Sequence, residues 1–332
     1  MKIKRPFIRK IRPLAYVGNH DASTISVISI RFNRVITTFS SGGEQPLGVT
    51  VARVLRRGVF LYVANASTNN VAVFNIQNNR QVASIPTGEN PVYVAIGRVP
   101  GVGIRGFVTN FESSSVTVFD PLTNNVIGPP IPVGKGPEGI ALNPTGTKAF
   151  VPNLSDGTVS VINTRRREVA DTIQVGEQPV LLAICSIPSQ RAPQAYVANF
   201  GSNSVTQINT RTNATVGRPI PVGRGPIGVT CLPNGERVYV ANGGSLSGNQ
   251  DESNHTVSVV STRLRRVVKT ITVGENPEAL AATCDGRWVY VPNRVSNTVS
   301  VIATRNNRVV KTIPVGKGPR GVAITPYCSV RK

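Results

Sequence analysis

Apolar residues alternate with small or polar ones, at a period of two, along nearly the whole chain. The pattern is plainest near the end, in Val289-Tyr290-Val291-Pro292-Asn293, Ser296-Asn297-Thr298-Val299-Ser300-Val301-Ile302 and Val309-Val310-Lys311-Thr312-Ile313-Pro314-Val315-Gly316. Alternation at that period predicts half-buried strands, and the Asn, Gly, Pro and Ser residues that fence each run predict turns. Six further copies of this three-strand paragraph lie upstream.

Two rulers measure the repeat. The Asn closing one strand recurs as Asn19, Asn65, Asn110, Asn153, Asn199, Asn242 and Asn293, about every 45 residues. A Gly-x-x-Pro recurs in step, from Gly43-x-x-Pro46 to Gly316-x-x-Pro319. Gly permits positive φ and Pro fixes φ, so each such tetrapeptide reads as a rigid turn into a new strand. That strand is rich in small residues, as in Gly139-Ile140-Ala141-Leu142, which suits the crowded strand nearest a propeller axis.

A period in the forties with several strands per period predicts an all-β, seven-bladed β-propeller with four antiparallel strands per blade. The chain begins in a blade's second strand, at Ala15, and finishes in a first strand, near Thr325. The C-terminal strand is therefore expected to join the N-terminal blade and close the ring. The propeller spans 15–325 in this reading, between a basic N-terminal tail, 1–14, and a C-terminal tail, 326–332.

At Tyr62-Val63-Ala64-Asn65, Phe107-Val108-Thr109-Asn110 and Tyr290-Val291-Pro292-Asn293 the chain resembles the YVTN-repeat β-propeller family, which includes YncE-like proteins and surface-layer propellers. The resemblance implies a binding or scaffold protein, with single-stranded DNA or a cell envelope as the partner in different branches. It carries over no catalytic residues.

Composition adds a partner expectation. The net charge is +21, with 37 Lys and Arg against 16 Asp and Glu. In an antiparallel meander, turns fall alternately on the two faces of the disc. The arginines gather on one face: Arg56, Arg57, Arg80, Arg165, Arg166, Arg167, Arg211, Arg263, Arg265, Arg266, Arg305 and Arg308 are the candidate contacts for a polyanion, either a nucleic acid backbone or an acidic polymer. Few aromatics accompany them, so base stacking is not expected. The main reading is thus a non-enzymatic scaffold that docks a polyanion. A cell-envelope or spore-layer structural protein, with a protein partner, is a second reading.

Carboxylates gather on the opposite face. Glu44, Glu89, Glu177 and Glu275 each follow the Gly of a Gly-x-x-Pro turn and are expected to ring the channel mouth. An inserted loop, 243–255, adds Asp251, Glu252 and His255. A third reading is therefore a lactonase-like or lyase-like propeller enzyme with a cation on this acidic face. No other cofactor is expected. The sequence has no Gly-x-Ser-x-Gly elbow and no His-Glu-x-x-His, and its two histidines limit any triad.

Cys185, Cys231, Cys284 and Cys328 fall near the end of the same strand in successive repeats. They read as free, partly buried thiols, with a disulfide or soft-metal cluster as the alternative. No apolar stretch reaches the length of a membrane span and no signal peptide is visible, so a cytoplasmic location is the default expectation.

Overall fold

A computed structural model describes residues 13–55, 57–188, 190–244 and 255–326. Arg56, Asp251, Glu252 and Cys328, with both tails and most of the inserted loop, lie outside the described residues. Seven antiparallel sheets follow one another around a ring, each a meander whose strands we letter A to D from the axis outward. Blade 2, for example, is Pro46–Val54, Gly58–Asn65, Asn70–Asn75 and Arg80–Pro86.

Blade 1 takes its A strand, Pro319–Ile324, from the far end of the chain. It pairs with Leu14–Asn19, setting Ala15 against Ile324 and Val17 against Val322. The expected closure is realised, and no inner edge is left unpaired in that blade.

Alternation explains why the B strands are buried on both faces. In blade 2, Leu61 and Val63 point toward blade 1 and join Tyr16, Ile25 and Val27. Tyr62 and Ala64 point the other way, onto Val94, Val108 and Phe119 of blade 3. The core is therefore not one mass but a series of clusters between neighbouring blades. The D strands face solvent, and Glu168–Gln174 of blade 4 is exposed at most positions.

The two sequence rulers touch. Each of the seven ruler asparagines is fully buried. Asn199 Nδ2 donates to Ser204 Oγ at 3.0 Å and to Thr206 Oγ1 at 2.9 Å, and Asn293 does the same to Thr298 and Ser300. Over this amide lies the first Gly of the turn: a Cβ on Gly316 would come within 2.5 Å of Asn19 Nδ2. Close approach is thus what demands glycine there. Positive φ, expected at that Gly, belongs instead to the residue before Pro, including Gln45, Asn90, Gln178 and Asn276.

Two outer strands depart from the repeat. Blade 3 has its D strand broken into Asn125–Val126 and Ile131–Pro132, and blade 5 keeps only Ile220–Pro221. Gly128-Pro129-Pro130 and Gly217-Arg218-Pro219 interrupt the ladder because Pro supplies no N–H.

The expectation of free thiols is corrected. Cys185 and Cys231 end the A strands of adjacent blades, with Cα atoms 5.8 Å apart, and form a disulfide. Cys284 is disulfide-bonded as well. The repeat sets equivalent strand ends side by side, which is why residues 46 apart can meet.

Candidate active site at the axial mouth

The residue directly after each turn Pro lies at the entry to the A strand and lines the axial mouth; in blades 4 and 7 it precedes the short strands Ala141–Leu142 and Ala281–Ala282. In ring order these residues are Arg320, Leu47, Val92, Glu138, Val180, Ile227 and Glu278, and all seven line one cavity of about 190 Å³. Four are aliphatic and three are charged. Arg320 and Glu278 stand on adjacent blades, with Arg320 Nε 3.8 Å from Glu278 Oε1. Glu138 is three blades from each, the greatest separation a ring of seven allows. The mouth thus has an ion-paired pole and a lone carboxyl pole, joined by two aliphatic walls.

Neither pole is saturated. Arg320 Nε makes no hydrogen bond among the described residues, since 3.8 Å is an ion-pair distance and too long for one. Arg294 lies beside the same cavity. Burial and the nearby Arg320 depress its affinity for a proton, while Glu278 and Asp21 restore part of it. Glu138 uses its backbone to accept from Thr109 Oγ1 at 2.6 Å and to donate to Pro152 O at 3.0 Å. Its carboxyl has neither a hydrogen bond nor an ion pair among the described residues. Burial pushes that carboxyl up to about 7; Arg320 opposes the shift and Glu278 adds to it.

One position deeper, the ring reads Gly321, Gly48, Tyr93, Gly139, Leu181, Gly228, Ala279. A Cβ on Gly48 would meet the backbone of Tyr93, one on Gly139 that of Leu181, and one on Gly228 that of Ala279. The A strands approach so closely that every second blade must carry Gly. Because seven is odd, strict alternation fails once, where Gly321 and Gly48 are neighbours. Tyr93 is the one aromatic residue of this layer. Burial raises its phenol above the ordinary range, and the nearby charges of Glu278 and Glu138 raise it further.

The acidic ring expected from the turns is not the wall of this cavity. Glu44, Glu89 and Glu177 are exposed on the turns, Glu275 is half-buried, and none of the four lines it. His255 is half-buried at the end of the inserted loop, its backbone carbonyl accepting from Val273 N at 2.7 Å. Among the described residues no three His, Cys, Asp or Glu side chains converge in a way that could hold a metal ion. Counting one residue past each Pro, not one past each Gly, would have found Glu138, Glu278 and Arg320.

The arginine face divides in two. Arg57 Nη1 donates to Pro121 O and Leu122 O of the next blade at 2.8 and 2.7 Å. Arg167 Nη1 donates to Ile127 O at 2.6 Å, inside the broken D strand of blade 3. Arg265 does the same for blade 5, donating to Val216 O and Arg218 O and to Gln207 Oε1. These three supply the donors that the proline-interrupted or neighbouring turns lack. Arg80, Arg165, Arg166, Arg211, Arg263, Arg266, Arg305 and Arg308 are exposed, Arg166 lying 3.5 Å from Glu168.

Fold and site together define a seven-bladed all-β propeller with a charged axial mouth. The chain is 27% identical over 150 residues to the seven-bladed beta-propeller protein Rv1057 of Mycobacterium tuberculosis, a match covering 44% of this chain and 35% of that one. The chain therefore spans about a third of the length of the curated relative it matches. No family model matches it. Among solved structures, hydrazine synthase of Kuenenia stuttgartiensis superposes with a TM-score of 0.71 at 21% identity, covering 86% of this chain and 90% of that one. A candidate 6-phosphogluconolactonase of Bacteroides fragilis superposes at 0.74 and 15% identity, covering 97% and 100%.

At such identities the likeness shows the fold alone. It nonetheless removes the ground for the expected non-enzymatic polyanion dock, because the same wheel occurs in a hydrazine synthase and a candidate lactonase. Arg57, Arg167 and Arg265 are committed to blade-to-blade contacts, and Arg320 Nε, a buried donor without a hydrogen-bond partner among the described residues, sits at the axial mouth. No helix of the described residues is long and apolar enough to cross a membrane.

Proposed function

We propose that this propeller is an enzyme acting at the axial mouth on a small cyclic ester, with Glu138 as its general acid–base. The observation that carries the reading is the Glu138 carboxyl, unpartnered among the described residues, opposite the Arg320–Glu278 pair in a cavity whose remaining wall is apolar apart from Arg294, Asn90 and the Tyr93 hydroxyl. A cavity with few convergent polar groups and a perturbed carboxyl is the ordinary form of a site that does chemistry.

The steps balance without a further reactant. Glu138, as carboxylate, takes a proton from water as the water oxygen bonds to the ester carbonyl carbon. The guanidinium of Arg320, helped by Arg294, stabilises the oxyanion that forms. Collapse breaks the ring C–O bond, and the Glu138 carboxyl returns its proton to the departing alkoxide. A group titrating near 7 can serve in both directions at neutral pH. The likeness to a candidate 6-phosphogluconolactonase supports this choice of substrate class.

The test is hydrolysis of a panel of γ- and δ-lactones followed by pH-stat. Wild type is expected to turn over at least one of them. Glu138→Gln is expected to lower kcat about 10²- to 10⁴-fold. Undiminished turnover in Glu138→Gln, or no turnover of any lactone by wild type, overturns the reading.

Two finer readings accompany it. The Tyr-Val-x-Asn segments, Tyr62 to Asn65 among them, support a place beside the YVTN-repeat propellers. The Cys185–Cys231 bond supports an oxidising compartment, where such bonds persist.

A further inference from the structure

We infer that Tyr93 is the floor of the axial site and sets the length of ligand it admits. This rests on the axial mouth being the working site, but its test needs no turnover. Below the mouth lies a second cavity of about 170 Å³, walled by Val49, Ile140, Leu182, Val229, Leu280 and Val322. Tyr93, Leu181 and Ala279 line both cavities. They are the partition between a charged chamber above and an aliphatic one below, and Tyr93 is the largest of the three.

Three observations single out Tyr93. Its layer carries Gly in four of seven blades, where neighbouring backbones close in, and Ala in a fifth, so Tyr93 and Leu181 are its two bulky side chains. The phenol hydroxyl makes no hydrogen bond among the described residues, while Glu138 and Glu278 both act on it electrostatically. A hydroxyl with free valence in the cavity that both carboxyls line is placed to donate to a ligand held there. The ring beneath it blocks any longer substituent. The ligand class is thus compact: a polar head that meets Arg320 and Arg294, and a body that ends at Tyr93.

The backbone at this position accommodates Gly in other blades, so Tyr93→Gly is the variant that opens the floor, and Tyr93→Phe keeps the floor while removing the hydroxyl. Binding of straight-chain carboxylates from acetate to dodecanoate, measured by calorimetry, reads the depth. In wild type and Tyr93→Phe, affinity is expected to stop rising after the first few carbons. In Tyr93→Gly it is expected to keep rising about fourfold per added methylene as the chain enters the lower chamber.

The same plateau in Tyr93→Gly, or a wild type that already gains through long chains, overturns the inference, as does a Tyr93→Gly protein that binds no carboxylate. Should Tyr93→Gly fail to fold by circular dichroism, Leu181→Ala opens the same partition from another blade and is expected to move the plateau likewise; an unmoved plateau there overturns it too. Failure of the lactonase reading alone would show as absent turnover in a wild type that still displays the chain-length plateau.

Discussion

Tyr290 Oη donates to Asn33 Oδ1 at 2.5 Å, joining a B strand of the last blade to a C-to-D turn of the first. Tyr239 makes the equivalent bond to Asn307 at 2.6 Å, between blades 6 and 7. Asn33 and Asn307 have φ of 47° and 54°, a conformation that Asn tolerates better than most side chains. In these two blades the Tyr of Tyr-Val-x-Asn reaches the neighbouring blade while its Asn clamps its own, whereas the hydroxyls of Tyr16, Tyr62 and Tyr196 have no hydrogen-bond partner among the described residues. Phe107 and Phe150 occupy the same strand position in blades 3 and 4, so the ring fits without the hydroxyl. Tyr290→Phe should therefore remove only the bond, lowering stability by about 0.5–1.5 kcal/mol in urea titration.

Asn199 has a larger effect to show. Its amide is buried against Ser204, Thr206 and the glycine Gly176. Asn199→Ala would take the amide donor from both hydroxyls, leaving Ser204 only its contact with Ser202, and leave a void under the turn. The expected loss is about 2–4 kcal/mol, read as a lowered urea midpoint.

Burial raises the Glu138 carboxyl in the folded chain from 4.5 to about 7. The folded state therefore binds more protons than the unfolded one between those values, and its stability falls as pH rises through that window. Glu138→Gln should abolish the fall. Urea midpoints at pH 4.5 and pH 8 should converge in the variant, with wild type the less stable at pH 8 by on the order of 1–3 kcal/mol.

Arginines on the basic face should separate by role. Arg265→Ala loses donors to Val216 O, Arg218 O and Gln207 Oε1, and should lower stability by about 1.5–3 kcal/mol because the buried Gln207 side chain and a half-buried carbonyl lose a charged donor. Exposed Arg305→Ala should lie within about 0.5 kcal/mol of wild type. Thermal unfolding of the pair checks both.

The Cys185–Cys231 bond closes a loop of 46 residues between neighbouring blades. The Cys185→Ser, Cys231→Ser double variant should lose about 2–4 kcal/mol, measured by denaturant titration under oxidising conditions.

The wheel itself is legible in the sequence. Each repeat carries its own turn residues and its own two-sided alternation, and no blade can bury both faces without neighbours, so seven copies in phase leave little besides a closed ring. The Asn and Gly rulers were visible as spacings, but their contact was not: that glycine is required by an asparagine amide pressing on it, and only the packed blade places one above the other.

The site was legible only in part. Sequence placed charges on faces by counting turns, and so it weighted the exposed arginines and the turn glutamates Glu44, Glu89, Glu177 and Glu275. Which charge matters depends on what faces it. Glu138 faces Glu278 and Arg320 across one cavity only because the ring closes with two blades between them on either side, and its shifted proton affinity follows from burial that no local window contains. Likewise Arg57, Arg167 and Arg265 resemble the other arginines of this face in sequence, and only the turns and broken strands of adjoining blades give them carbonyls to bind. Local alternation fixes strands and turns, because those depend on near neighbours; the chemistry at the axis depends on residues brought together by ring closure, and tertiary structure alone decides it.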